Sequence, residues 1–116
     1  MDNIFGSKMN KIYGKISNKI NNKAILDSEI ILEMETVRKK DPGFDINWKP
    51  NNQNWPLLTR AVFYEREELV KYLLMVPDID VNNRGLSGAT AFHFAGNINI
   101  LKLLLNCRDL DVTNPE

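Results

Sequence analysis

Two stretches of the chain follow one pattern. Asn54-Trp55-Pro56-Leu57-Leu58-Thr59-Arg60-Ala61 lines up with Gly88-Ala89-Thr90-Ala91-Phe92-His93-Phe94-Ala95, 34 residues further on. Glu68-Leu69-Val70-Lys71-Tyr72-Leu73-Leu74 lines up with Asn99-Ile100-Leu101-Lys102-Leu103-Leu104-Leu105 at a distance of 31, so the later copy lacks three residues between its apolar blocks. A third element punctuates the chain: Asp45-Ile46-Asn47, Asp80-Val81-Asn82 and Asp111-Val112-Thr113, spaced by 35 and 31. A period of this length marks stacked supersecondary units, because one such unit cannot cover its own apolar face.

Each copy reads as a short helix, a turn, a second amphipathic helix and a polar extended loop. Leu69, Val70, Leu73 and Leu74 fall at i, i+1, i+4 and i+5 and form one apolar stripe. Asp80 and Asn82 favour turns by bonding their own backbone, and Gly85 and Gly88 permit positive φ. Upstream, Ile30, Ile31, Met34 and Val37 make another helical stripe, closed by Asp41-Pro42-Gly43-Phe44-Asp45-Ile46-Asn47. The spacing predicts helices near 28–40, 57–64, 67–75, 89–95 and 98–106.

The pattern resembles the ankyrin-repeat family, whose period is about 33 residues and whose marker is T-P-L-H-x-A. Thr90, His93, Ala95, Gly96 and the following Leu run stand on family positions, with Ala91 for the usual Pro, Phe92 for Leu and a shortened first helix. The earlier copy keeps Leu58 and Ala61 but has Pro56 at the Thr position, Thr59 at the His position and Glu65 at the Gly position. The likeness runs from about residue 27 to 113. It implies an all-α fold, a helix-turn-helix solenoid with short extended loops between repeats. The chain divides into a basic N-terminal extension (1–26) that could cap the stack, a partial first repeat (27–50), one ankyrin repeat (51–82), and a second (83–116) that lacks a C-terminal cap.

Composition narrows the function classes. Fifteen Lys and Arg balance fifteen Asp and Glu, and nucleic-acid affinity rests on accumulated positive charge, so no nucleic-acid partner is expected. A single cysteine, Cys107, excludes an internal disulfide and a CxxC pair, which points to an intracellular, cytoplasmic location and leaves the nucleus open. No apolar run reaches the ~20 residues of a membrane span.

Catalytic chemistry finds no footing in the pattern. His93 is the sole histidine, which rules out a two-histidine metal site within one chain. The resemblance gives Thr90 and His93 a structural role, bonding turn and backbone groups. Glu65, Glu67 and Glu68 fit a helix start, where the dipole favours acids. Asp109 and Asp111 fall in a loop, and neither glycine-bearing turn makes a phosphate cradle. No enzyme activity, cofactor or metal is expected.

The resemblance implies a protein partner, held on a concave face and its loop tips. By position, Trp48, Lys49, Asn51 and Trp55 belong to one loop, Arg84 and Leu86 to the next, and Arg60, Phe63, Tyr64 and Phe94 to the first-helix face. Aromatic and Arg side chains dominate protein interfaces, although Trp55 and Phe63 are equally suited to packing between repeats. Two further readings stay open. Residues 3–26 carry Lys8, Lys11, Lys15, Lys19 and Lys23 without an acid, beside apolar Phe5, Met9, Ile12, Ile16 and Ile20 at helical steps. Such a segment suits a capping helix, a disordered tail or a membrane-recruited adaptor. The last helix carries Ile100, Leu101, Leu103, Leu104 and Leu105, more aliphatics than one neighbour can cover. This end therefore suits either a self-associating regulatory or decoy protein, with a homodimer through the C-terminal repeat, or a fragment of a longer stack.

Overall fold

The computed structural model describes residues 4–112. Residues 1–3 and 113–116 lie outside the described part, and with them Thr113 of the third Asp-Val-Thr element. The described residues form five α-helices and no strand: α1 (Ile4–Asn21), α2 (Asp27–Lys40), α3 (Leu57–Phe63), α4 (Glu67–Leu74) and α5 (Ile98–Leu105). Two 3-10 turns, Leu86–Gly88 and Ala91–Phe94, separate α4 from α5.

The segment left open among three readings is thus helical. α1 forms although Gly6, Gly14 and several Asn disfavour it, because Met9, Tyr13, Ile16 and Ile20 all fall on one buried side. Ile30 and Met34 of α2, Leu57, Leu58, Ala61 and Val62 of α3, Leu69, Val70 and Leu73 of α4, and Ile100 and Leu104 of α5 complete a single core. Two rows result. One runs from α1 through α3 to the Ala91–Phe94 turn, the other from α2 through α4 to α5, and the rows are joined where α1 meets α2 and α3 meets α4.

One expected α-helix is corrected. Residues 89–95 do not form an α-helix; a 3-10 turn occupies Ala91–Phe94. With three residues fewer than the earlier copy, the segment has no room for two α-helical turns, and the tighter 3-10 winding covers the distance. Its start is held by a reciprocal pair, in which the Thr90 N–H donates to His93 Nδ1 at 2.9 Å and the Thr90 side chain serves the turn in return.

The Asp-β-branched-polar elements owe their composition to three separate tasks. Asp45 and Asp80 accept the N–H of Asn47 and Asn82 through Oδ1 at 2.8 and 2.9 Å. Ile46 and Val81 turn inward and are buried. Each Asn then bridges to the following loop. Asn47 donates to the Asp78 carbonyl and accepts the Asp80 N–H, both at 2.8 Å, and Asn82 does the same with Asp109 and Asp111 at 2.7 Å.

The α3–α4 turn is a Schellman closure. The Arg66 N–H donates to the Ala61 carbonyl, the Glu65 N–H to that of Val62, and Glu65 takes φ of 55°. Arg66 itself is buried. Its guanidinium donates to the carbonyls of Lys19, Ile20, Asn22 and Ile25 and to Asp27 Oδ1 at 3.0 Å, which satisfies the end of α1 and the turn that follows it. The other oxygen of Asp27 accepts the N–H groups of Glu68 and Leu69 at the start of α4. Within the described residues no helix is long and apolar enough to cross a membrane.

Candidate functional site

In α3 the inward residues leave Arg60 and Phe63, three positions apart, to face away from the core. The helix is about two turns long, and Trp55 enters just before it. Phe94 arrives from the 3-10 turn, so three rings meet: Trp55 lies 5.1 Å from Phe63 and 4.7 Å from Phe94, and Phe63 stands edge-on to Phe94 at 5.7 Å. Tyr64 adds an edge-on contact to Phe63 at 5.2 Å. Phe63 remains 47% exposed and Tyr64 37%, so the cluster opens at its outer rim.

Arg60 closes the other side. Its guanidinium lies over the Tyr13 ring at 5.7 Å and the Trp55 ring at 6.0 Å, and its Nε–H donates to the Tyr13 hydroxyl at 2.7 Å. That hydroxyl in turn donates to the Trp55 carbonyl. The indole Nε1 of Trp55 is buried and has no partner among the described residues. Gly85 makes room for the indole: a β-carbon there would stand 2.7 Å from both the Asn54 carbonyl oxygen and Trp55 Cδ1.

The remaining positions named from the sequence lie elsewhere or are occupied. Trp48 packs edge-on against Phe5 at 5.9 Å and donates Nε1–H to Asn10 Oδ1 at 2.8 Å, which ties its loop to α1. The Lys49 ammonium donates to the Arg84 carbonyl. Asn51 is spent on its own loop, where Oδ1 accepts from the Gln53 N–H and the Asn54 amide. Arg84 donates to the Gly88 carbonyl at 2.5 Å and faces Asp111 at 3.5 Å. Leu86 is 42% exposed in its 3-10 turn. Trp55, Arg60, Phe63, Tyr64 and Phe94 therefore form one cluster, while Trp48 docks on α1 and Asn51 serves its own loop. Tyr13 was missing from the sequence reading. Its spacing to Met9 and Ile16 marks it as a stripe residue, but nothing local announces its bond to Arg60.

The charge of α1 is partly matched within the molecule, two carboxylates facing three of its four lysines. Lys8 pairs with Asp41, and Lys15 and Lys19 with Glu33 at 3.7 and 2.5 Å. The hydrogen bond from Lys19 holds the Glu33 carboxyl below its ordinary range, against the opposing push of burial. Cys107 is half-buried with its thiol pushed up by burial, and donates to the Leu103 carbonyl at 3.6 Å. No family model, curated protein or solved structure matches the chain.

Proposed function

We propose that the chain is an ankyrin-repeat interaction module of the cytoplasm, without catalytic activity, that holds a protein partner on the face around Trp55, Arg60, Phe63, Tyr64 and Phe94. The single observation that carries this reading is the aromatic cluster with its open rim at Phe63 and Tyr64, since rings already packed on one another between α3 and the 3-10 turn give large contact area at low ordering cost. The ankyrin part rests on the sequence period together with four local features. These are the two rows of elements, the twice-occurring Asn bridge, the Thr90–His93 pair and the left-handed Glu65 at the family's Gly position.

The test is capture from an extract of the native source with wild type and a Phe63→Ala, Phe94→Ala double variant. A protein retained by the first and lost with the second is expected, with stability lowered by about 1–3 kcal/mol for partly exposed rings. Identical capture by both would remove the face.

A second reading, self-association, has its own observation. α5 leaves Ile98 62% and Leu105 55% exposed, with Leu101 half-buried between them at i, i+3 and i+7.

A further inference from the structure

Arg60 is held at one end and open at the other. Stacking on Tyr13 and Trp55 and the bond from Nε fix the plane of its guanidinium. Its Nη1 and Nη2 atoms make no hydrogen bond, and the residue makes no ion pair, among the described residues. Arg66 uses Nε and both Nη atoms on carbonyls and Asp27, and Arg84 meets Asp111. Arg38, which lies over the Tyr72 ring and donates to its hydroxyl, and Arg108 are both exposed to water, as Arg60 is not. Arg60 is half-buried against aromatic rings, where a cation lacks full hydration and a carboxylate gains most from meeting it.

A guanidinium with two free Nη groups presents parallel donors whose spacing matches the two oxygens of a carboxylate. Because the plane is already fixed, little side-chain freedom is lost on binding. The half-exposed rings of Phe63 and Tyr64 stand three and four positions further along the chain in the same cluster, so whatever brings the carboxylate also meets an apolar surface. A nucleic acid would need several cations here, and Lys49 and Arg84 are engaged with a carbonyl and a carboxylate.

We propose that Arg60 anchors an Asp or Glu side chain of a partner peptide whose neighbouring large apolar residue lies on Phe63 and Phe94. This rests on the interaction reading given above.

The probe is a displayed library of random twelve-residue peptides, panned against the full chain. Enriched peptides are expected to carry Asp or Glu within three residues of Leu, Phe or Trp. A synthetic copy of one should bind Arg60→Gln about 10- to 100-fold more weakly, the range for a hydrogen bond to a charged group, and Arg38→Gln as well as wild type. Changing the peptide's own acid to the amide should cost a similar factor on wild-type protein and almost nothing further on Arg60→Gln. The peptide change keeps the test decisive if Arg60→Gln folds poorly. No enrichment, enrichment without acids, or amide peptides that bind within twofold of the acid would each overturn the anchor. If such acid-free peptides still lose binding to Phe63→Ala, Phe94→Ala, the face stands and the anchor alone falls; if they do not, both fall.

Discussion

Glu65 occupies a backbone position that suits glycine. Its φ of 55° places the β-carbon close to the adjoining carbonyl, a strain of about 1–2 kcal/mol that the Schellman closure imposes. Glycine would relieve it at the cost of a freer unfolded chain, so Glu65→Gly is expected to stabilise by about 0.5–1 kcal/mol. Glu65→Ala, which keeps the β-carbon, should change little. Thermal melts of the two variants check this, and a loss on Glu65→Gly would show that the carboxylate contributes more than the strain. The position was visible in sequence as a departure from the Gly of the resembling repeat. Its neighbour was not: Arg66 sits in Glu65-Arg66-Glu67-Glu68, a run that reads as a solvated helix start, and its partners are carbonyls more than forty positions away.

At the scale of helices, the Arg66–Asp27 pair joins the end of α1, the start of α2 and the start of α4. Removing the guanidinium strands a carboxylate and several carbonyls, so Arg66→Met is expected to cost about 3–5 kcal/mol. Asp27→Ala removes the acceptor for two α4 N–H groups and the ion pair, and should cost less, near 1–2 kcal/mol, because its site is wetter. Urea unfolding of both, and of the double variant, measures their coupling; additive losses would mean the pair does not act as a unit. The α1–α2 contact carries a pH signature. Glu33 lies below its ordinary pKa of 4.5 because Lys19 hydrogen-bonds it. Its contribution is therefore complete above the unfolded value and is lost as pH falls through the lower folded one. Glu33→Gln should flatten the fall in stability as pH drops below the ordinary carboxyl value of 4.5, and an unchanged pH profile would place the acid sensitivity elsewhere. Helices α2, α4 and α5 were legible because their stripes, such as Leu69, Val70 and Leu73, are local. The segment 89–95 was misread as α-helix because apolar spacing does not distinguish α from 3-10 winding over so few residues.

For the whole molecule, the aliphatic run of α5 divides. Ile100 and Leu104 are fully buried, whereas Ile98 and Leu105 face outward. Lysine at Leu104 would disrupt the core, so Ile98→Lys with Leu105→Lys is the informative change. Sedimentation at about 100 µM is expected to give a dimer for wild type and a monomer for the double variant, and a wild-type monomer would dismiss the association. The candidate face was only partly legible for a related reason. Trp55, Arg60, Phe63, Tyr64 and Phe94 converge because α3 and the 3-10 turn are neighbours, whereas Trp48, a loop residue by the repeat pattern, is held by Phe5 and Asn10, partners no repeat pattern includes. The Asn bridges between loops carry one more consequence, in the chemical ageing of the chain. Asparagine is among the least durable side chains, and hydrolysis of its amide yields a carboxylate of nearly the same shape. At Asn47 or Asn82 that exchange would keep the oxygen that accepts from Asp80 or Asp111 and replace the NH2 that donates to Asp78 or Asp109 with a second acceptor. A change of one atom would set two oxygens against each other across each bridge, and an old molecule would lose its loop-to-loop register before its helices.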